Sequence, residues 1–364
     1  MSRNPLLDSL FHTALSGQAS DVHLTTDAIP IFRDRDGGFV PLRENPLTKD
    51  TIKSFTEVLL SRAQQEILSE KGDVDASYTI SLPEQEPVRA RLNVFEDSAG
   101  ISIAIRILNQ KIPKMQDLRL PDSVQLLTKE KHGLILFSAP TGNGKTTSIA
   151  SMLNEIVAEK RRRVITIEDP IEFVHQHKRC VMSQREVGTD TKSFAEALKR
   201  ALREDPDIIE VGELRDLETI STALTAVETG HLVFATLHTQ DAGSTVDRLI
   251  DVYPENQQQQ IRVQVASTLR AVIVQTLIPR ASGHGRAPAT EVMINNPAVA
   301  ALIRSGKAHQ IRTVLQSGEK EGMHTLDQDL ARLVNKGVIT FEDALVKVQV
   351  REEFEKLCGA RKSF

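Results

Sequence analysis

The sequence predicts an α/β protein in which a small α+β domain precedes a larger domain with a mostly parallel sheet. Three observations carry this prediction. The chain has 364 residues, which is enough for roughly two domains. From residue 124 onward, predicted strands alternate with predicted helices, which indicates crossover connections and a mostly parallel sheet. Residues 138–147 read Ser-Ala-Pro-Thr-Gly-Asn-Gly-Lys-Thr-Thr, a Gly-rich loop between such a strand and a helix.

The first domain is predicted to occupy residues 1–110. Asn4 and Pro5 suit the cap and first position of a helix, and the apolar spacing that follows is helical. Asp21–Thr25 alternates like a strand, and Asp36-Gly37-Gly38 is a hairpin-turn signal. The remaining predicted elements are a long amphipathic helix over 48–69 and strands over 78–82, 88–95 and 101–107, with turns at 83–87 and 97–100.

Residues 111–121 contain two prolines and several charges, and we expect the linker between the domains there. The second domain, residues 122–364, shows the strand and helix alternation. Its predicted strands cover 134–137, 164–168, 207–211 and 231–237, and its predicted helices cover 148–159, 194–204, 217–229 and 242–251. From 254 to 357 the pattern is mainly helical, with one hairpin signal near 281–292.

Composition and charge exclude several classes of protein. A net charge of −4 argues against nucleic acid as the main partner. The two cysteines, Cys180 and Cys358, form no Cys-x-x-Cys pair, so no zinc module is expected. The first 17 residues lack the pattern of a signal peptide, and no apolar run approaches the ~18 residues of a membrane span. We therefore expect a cytoplasmic protein that reaches a membrane through a partner.

The Gly-rich loop has the residue types that bind phosphate groups. Gly142 and Gly144 let backbone N–H groups turn toward phosphate oxygens, Lys145 can reach the β- and γ-phosphates, and the Thr146 hydroxyl can hold Mg²⁺. The N-terminus of the following helix adds a partial positive charge. An ordinary turn is the alternative, which the flanking strand and helix disfavour. The predicted nucleotide-binding residues are Ala139, Pro140, Thr141, Gly142, Asn143, Gly144, Lys145, Thr146 and Thr147.

Three later strands end in polar residues that can complete a hydrolytic site. Glu168 and Asp169 end one buried strand and suit Mg²⁺ or its waters, the alternative being a helix cap or an arginine pair. Glu213 follows the next strand and is the candidate that polarises an attacking water, with Arg215 and Asp216 to fix its position. A surface ion pair is the alternative there. His238 follows the fourth strand and can bind a γ-phosphate or a water, although a lone histidine is more often structural.

Three arginines of the first domain form a further candidate group. Arg89 and Arg91 are two residues apart in a predicted strand and therefore share a face, and Arg106 ends the next strand. A solvated surface is one interpretation of these cations. The second interpretation is a set of arginine fingers that reach the nucleotide of a neighbouring subunit, where such residues contribute roughly 10³–10⁵ in rate.

Together these segments resemble the secretion ATPases and, within them, the PilT family of type IV pilus retraction motors. The matching segments cover nearly the whole chain. They are the opening motif Ala19-Ser20-Asp21-Val22-His23-Leu24, the phosphate loop at 138–147, the acidic box at 165–173, the Walker B segment at 205–216, the His box at 230–239, and Gly322-Met323, Thr325 and Asp327-Gln328.

The resemblance implies a PAS-like first domain and a RecA-like second domain with a helical C-terminal segment. It implies a homohexamer that hydrolyses ATP with Mg²⁺ at an interface between domains and subunits, and that drives pilus retraction and twitching motility. It also implies Glu213 as the catalytic base and Arg91 and Arg106 as arginine fingers, with Arg89 a weaker candidate. The implied partners are the inner-membrane platform protein of the pilus and other pilus motors, at the cytoplasmic face of the inner membrane.

Three departures from the family pattern leave the particular role open. Ala139 replaces the first glycine of the loop, Glu210 stands where the family has an apolar residue, and 298–305 retains only the apolar skeleton and Arg304 of a retraction motif. An accessory pilus motor or a secretion or conjugation paralogue is therefore an alternative to a retraction motor. A nucleic-acid motor and a non-catalytic nucleotide-binding scaffold are two further hypotheses. Relatives that extend pili carry an N-terminal extension and a four-cysteine zinc module, and their absence here favours retraction.

Overall fold

The computed structural model describes residues 4–34, 38–83, 87–108 and 111–359, and the chain divides into two compact units. The first unit contains the described residues up to 111 together with the short segment 172–174. The second contains 112–171 and the chain from 175 onward. The α/β fold class predicted from the sequence is confirmed, and each unit is described in turn.

The first unit is a six-stranded antiparallel sheet with helices on one face. The strands lie in the order β3-β2-β1-β6-β5-β4. Val22, Leu24 and Leu92 on the inner face are fully buried and belong to one core with Phe11 and Phe55 of the helices. Its elements are α1 (Pro5–Ser16), β1 (Asp21–Thr25), β2 (Ile31–Arg33), β3 (Phe39–Pro41), α2 (Lys49–Leu59), α3 (Arg62–Lys71), β4 (Asp73–Ile80), β5 (Val88–Asp97) and β6 (Gly100–Ile107).

The prediction of one continuous helix over 48–69 is wrong. Leu60 is extended, and Ser61 begins a new helix through a capping box in which its hydroxyl accepts from the Gln64 amide while the Gln64 side chain accepts from the Ser61 amide at 2.9 Å. The strand predicted over 78–82 also begins earlier, at Asp73. The turn signals at 36–37 and 84–86 lie outside the described residues.

The second unit alternates strands and helices and ends in a helical segment. Its elements are α4 (Met115–Leu118), α5 (Asp122–Leu126), β7 (Gly133–Ser138), α6 (Lys145–Glu159), β8 (Arg163–Glu168), β9 (Val181–Glu186), α7 (Phe194–Ala201), β10 (Ile208–Val211), α8 (Leu217–Glu228), β11 (Leu232–Leu237), α9 (Ala242–Asp251), α10 (Glu255–Thr268), β12 (Leu269–Pro279), β13 (Arg286–Ile294), α11 (Pro297–Arg304), α12 (Ile311–Ser317), α13 (Leu326–Asn335), α14 (Phe341–Leu345) and α15 (Arg351–Leu357).

The sheet of the second unit has seven strands in the order β13-β12-β7-β11-β10-β8-β9. All neighbours are parallel except the edge strand β13, which is antiparallel to β12. One face packs on α6, and the opposite face packs on α7, α8, α9 and α10. The carboxyl ends of β7, β8, β10 and β11 therefore meet at one edge, which is where ligands of open parallel sheets bind.

Several segments of the second unit differ from their predictions. The strands β9 and β12 were not predicted, and the hairpin signal near 281–292 falls on the connection from β12 to β13 and on β13 itself. The predicted linker contains α4, with Met115 and Leu120 buried in the core beneath α6. The eroded motif at 298–305 lies on α11. In the described ranges, no helix combines the length and apolarity needed to cross a membrane.

Candidate active site

The Gly-rich loop connects β7 to α6 with the backbone that its sequence requires. Gly142 and Gly144 both have a φ of +81°, in the left-handed region that favours glycine. Gly144 caps α6, and none of the described side chains supplies a cap hydrogen bond there. The first amides of a 15-residue helix therefore remain available to an anion.

The remaining loop residues surround this amide cradle. Thr141 is exposed, Thr146 and Thr147 are half-buried in the first turn of α6, and the Asn143 side chain donates to the Pro140 carbonyl at 3.1 Å. This donation keeps the outer part of the loop closed on itself.

Lys145 is the first residue of α6, and its side chain is buried against the loop. The residue is 8% exposed, and its ammonium group donates to the carbonyl of Ala139 at the start of the loop. The same Nζ lies 3.4 Å from Nδ1 of His238. The lysine thus bends back over the loop and already contacts a residue from the end of β11.

Ala139 occupies its position without backbone strain. It is fully buried, its amide donates to the Leu237 carbonyl at 3.3 Å, and its φ is outside the left-handed region. A methyl group is therefore compatible with the conformation here, and the first departure from the family pattern does not distort the loop.

The hairpin of β12 and β13 braces the outer side of the loop, a feature that sequence reasoning missed. The Gln275 side chain donates to the Asn143 carbonyl at 2.6 Å and accepts from the Ser148 hydroxyl at 2.8 Å. The Leu277 amide donates to the Asn143 side chain at 3.0 Å, and Arg286 donates to the Gly142 carbonyl at 3.2 Å. The only sequence signal was the hairpin itself, because its polar residues match no motif.

Glu213 follows β10 at the edge of the sheet, where the neighbouring backbone of Gly212 packs closely against β8 and β11. Gly212 donates its amide to the Ile167 carbonyl at 2.8 Å, and a Cβ on Gly212 would lie 3.1 Å from that oxygen. The Gly212 carbonyl accepts from the Thr236 hydroxyl, and the Leu214 amide donates to the Thr236 carbonyl at 3.0 Å. The close approach of these backbones therefore favours glycine at 212, and the bonds to β11 fix the residues on both sides of Glu213.

A chain of polar contacts joins the predicted residues at the ends of three strands. Nε2 of His238 lies 3.3 Å from Glu213 Oε1, and Nη2 of Arg215 lies 2.8 Å from Glu213 Oε2. Arg215 also approaches Asp169, at 3.9 Å between Nη1 and Oδ2. With the Lys145–His238 contact, the structure brings the loop lysine, the histidine, the glutamate and Asp169 into one connected group.

Three more acidic residues lie outside this group. Asp216 caps α8, accepting from the Thr219 amide at 2.8 Å, and it does not hold Glu213. Glu168 is 7% exposed and accepts from the Thr166 hydroxyl at 2.6 Å and from the Gln184 amide group at 3.1 Å. Glu210 is 4% exposed, lies between Thr166 and Phe234 in register, and has a partner within the chain. Glu210 is thus an interior residue of the sheet.

The three candidate arginines lie on the outer face of the first unit's sheet. Arg91 of β5 and Arg106 of β6 are directly opposite each other in the antiparallel register. Their side chains are 50% and 70% exposed. Arg89 is half-buried and donates to the Thr79 hydroxyl at 3.3 Å. Arg91 and Arg106 are therefore a juxtaposed pair of accessible cations, and Arg89 is less accessible.

The residues present fit a bound nucleotide and its metal ion. The uncapped start of α6 and the open space around Gly142, where a Cβ would meet nothing within 4 Å, form a cradle for phosphate. Mg²⁺ bound to phosphates takes few protein ligands, so the Thr146 hydroxyl suffices as a direct one. In the described part of the chain, no cluster of three or more His, Cys, Asp or Glu side chains is arranged to hold a metal ion by itself.

The fold and the site define a phosphate-loop nucleotide-binding protein with polar residues at the ends of adjacent parallel strands. Residues 2–346 match the profile of the type II/IV secretion system protein family, and the chain belongs to that family. It is 41% identical over 336 residues to the type IV pilus retraction ATPase PilT of Pseudomonas aeruginosa, covering 92% of this chain and 96% of that protein.

Two further comparisons extend this relationship. The chain is 34% identical over 338 residues to the type IV pilus ATPase PilU of Pseudomonas aeruginosa, covering 93% of this chain and 87% of that protein. The crystal structure of the pilus retraction motor PilT with bound ADP superposes with a TM-score of 0.89 at 43% identity, covering 96% of this chain and 99% of that one. The resemblance to the PilT family is thereby confirmed.

Proposed function

We propose that this chain is an ATP-hydrolysing subunit of a homohexameric motor that powers type IV pilus retraction. The observation that carries the proposal is the connected group of Lys145, His238, Glu213 and Arg215 beside an open phosphate cradle. Phosphate binding and a carboxylate that can orient water are the two parts that hydrolysis requires. The relatives named for pilus retraction supply the physiological context.

Each residue has a role that follows from its position. Lys145 and the loop amides bind the phosphates, replacing the Ala139 carbonyl as the partner of the lysine. Thr146, and Glu168 through a water molecule, would hold Mg²⁺, which would supply positive charge to neutralise the phosphates. Glu213 accepts the proton of the attacking water, and its contacts with His238 and Arg215 keep the carboxylate in one orientation.

The arginines of the first unit complete this site from a neighbouring subunit. Arg91 and Arg106 are exposed and directly opposite each other, an arrangement that favours binding of a further anion. A γ-phosphate on the next subunit has that charge, and two guanidinium groups stabilise the transition state as arginine fingers do. ATP is thus held between subunits of a ring, and binding and release at each interface move the subunits relative to each other.

The identity to PilT at 41% exceeds that to PilU at 34%, so the accessory role is not favoured. The conjugation and nucleic-acid hypotheses have no support in the site. We propose that the motor acts at the cytoplasmic face of the inner membrane, with the platform protein and other pilus motors as its partners.

Glu213→Gln tests the assignment of the catalytic carboxylate. The variant should bind ATP with wild-type affinity and lose steady-state turnover by at least ~10²-fold, because an amide accepts no proton from water. Glu218→Gln is the matched control, since Glu218 is a surface residue of α8 paired with Lys199. Wild-type turnover in Glu213→Gln would remove this residue from the mechanism.

The physiological role needs a cellular test. Deletion of the gene should abolish pilus retraction, and the wild-type chain should restore it while Lys145→Ala should not. Restoration by Lys145→Ala would show that retraction does not depend on nucleotide hydrolysis by this chain.

A further inference from the structure

The opening motif Ala19-Ser20-Asp21-Val22-His23-Leu24 has no part in the proposed mechanism so far. In the structure it leads into β1, which pairs with β2 on one side and β6 on the opposite side. Val22 and Leu24 point into the core, whereas Asp21 and His23 lie on the outer face that carries the arginines. In the register, Asp21 lies directly opposite Arg106.

Asp21 is a firmly oriented carboxylate. Its Oδ1 accepts from Nε of Arg106 at 2.9 Å, and its Oδ2 accepts from the Ser20 hydroxyl at 2.9 Å. The side chain is 19% exposed. Burial alone would raise the pKa of Asp21, but the hydrogen bonds from Arg106 and Ser20 outweigh it and hold the pKa below its ordinary value. Asp21 is therefore the ionised partner of Arg106 at neutral pH.

The contact with Asp21 uses Nε of Arg106 and leaves the two terminal nitrogens of the guanidinium group accessible. Asp21 engages Nε, and the Arg106 side chain makes no second hydrogen bond within the described residues. Both terminal nitrogens are thus available, and the side chain is 70% exposed. A guanidinium held at Nε keeps the two donors that bind phosphate oxygens in a bidentate manner. The contact also restricts the rotamers that the arginine would otherwise lose on binding.

Arg91 lacks an equivalent anchor. The nearest carboxylate is Asp75, whose Oδ1 lies 3.8 Å from Nη2 of Arg91, and whose side chain is 62% exposed. The same Oδ1 also accepts weakly from Asn93 at 3.5 Å. Asp75 therefore provides a matched carboxylate on the same face of the sheet that does not fix its arginine.

We propose that Asp21 is the positioning residue of Arg106, holding the guanidinium by Nε so that its terminal nitrogens reach the nucleotide of the neighbouring subunit. This inference rests on the proposed function of Arg106 as an arginine finger. It explains why the opening motif couples Ser20 to Asp21, because the serine hydroxyl fixes the second carboxylate oxygen. It also places a negative charge beside two juxtaposed cations, which reduces their repulsion.

The test is a double-mutant cycle on the assembled full-length protein, with kcat and KM for ATP as readouts. Asp21→Ala should lower kcat about twofold to fivefold, the range of an ion pair with one exposed partner. The kcat of Asp21→Asn should lie between the values for Asp21→Ala and wild type, because the amide oxygen of asparagine still accepts a hydrogen bond from Arg106. KM and the mass of the assembly should stay near wild type. Asp75→Asn should leave kcat unchanged.

The background with Arg106→Ala separates positioning from structure. There, single-turnover hydrolysis at high enzyme concentration still measures the low rate, and Asp21→Ala should cause no further loss of it, since no guanidinium remains to be oriented. Multiplicative losses in the double variant, or wild-type kcat in Asp21→Ala, would overturn the positioning role and leave the finger intact. Wild-type kcat in Arg106→Ala alone would instead refute the finger itself. If Asp21→Ala fails to assemble, Ser20→Ala replaces it, with a smaller loss that must likewise vanish without Arg106.

Discussion

The functional charged side chains of the two units differ in how exposed they are and in how many partners they have. In the second unit, Glu213 is 19% exposed and has two partners within 3.3 Å, and Lys145 is buried against its own loop. In the first unit, Arg91 and Arg106 lie opposite each other on an exposed face, and within the described residues each has one carboxylate partner. The charges of the second unit are internally connected, and those of the first are open to solvent.

This difference indicates which part of the site is preformed and which part needs a partner. A buried carboxylate without partners would be costly, so Glu213 must be held within its own unit. Juxtaposed exposed arginines cost less because water screens them, and they gain most when an anion arrives. In the proposed function, the second unit therefore provides the binding and proton-accepting groups, and the first provides cations for another subunit.

The prediction with the largest expected effect tests this division of roles by placing a defect of the second unit and a defect of the first unit on different subunits. Lys145→Ala removes the phosphate-binding lysine, and Arg106→Ala removes a finger worth roughly 10³–10⁵ in rate. Each variant alone should be almost inactive. When the two are co-expressed with different tags and purified through both, activity should reappear, because some interfaces combine an intact loop with an intact Arg106. ATPase activity of the purified mixed assembly is the measurement.

The matched control mixes Lys145→Ala with Glu213→Gln. Both defects lie in the second unit, so no interface in that assembly is intact and activity should stay low. An inactive Lys145→Ala and Arg106→Ala mixture would show that the arginine acts on its own subunit's nucleotide.

A smaller effect is expected from changes in the phosphate loop, which test whether the second unit is preformed for nucleotide binding. Gly144→Ala should weaken ADP and ATP binding by at least ~10-fold, because its φ of +81° disfavours a side chain and a Cβ would lie 2.8 Å from the Gln275 nitrogen. Ala139→Gly should change affinity little, since Ala139 is outside the left-handed region. Nucleotide titration of both variants measures this. Equal losses would show that loop backbone geometry does not govern binding.

Much of the active site was predictable because its residues follow strands. Glu213 and His238 come directly after apolar strands, and the carboxyl ends of parallel strands meet at one edge. The order of the chain therefore assigned both residues to one predicted site, whereas their direct contact at 3.3 Å was not predicted. The brace from Gln275 and Arg286 was not predictable, because it depends on how an antiparallel hairpin meets the loop in space.

The fold was predictable where periodicity was unambiguous. Strands such as Leu232–Leu237 are short apolar runs between helices, whereas β12 follows α10 directly with no turn residue between them and is buried along almost its whole length. A buried strand on both faces cannot be distinguished from a helix by periodicity alone, so the sequence analysis placed β12 in the helical region. The break at Ser61 was missed for the opposite reason, because the two helices share one amphipathic pattern.

Two carboxyl groups, one in each unit, have pKa values shifted in opposite directions. Glu291 of β13 is 2% exposed, and it accepts from the Ala242 amide at 2.7 Å and from the Leu326 amide at 3.4 Å, at the starts of two helices. Burial raises the pKa of Glu291 to about 7. Asp21 in the first unit has the opposite shift, to a pKa below its ordinary value, because Arg106 and Ser20 outweigh its burial.

The two groups should therefore give stability opposite pH dependences. Between its ordinary pKa of 4.5 and about 7, folded Glu291 keeps a proton that the unfolded chain releases, so its contribution to stability is lost as pH rises through that range. Glu291→Gln should remove this fall, on the order of a few kcal/mol. Asp21→Asn should instead remove a contribution that is present above pH 3.8 and lost on acidification. Urea unfolding of both variants and wild type from pH 3 to pH 8 measures the difference, and a Glu291→Gln curve parallel to wild type would show that folding does not shift the pKa of this carboxyl.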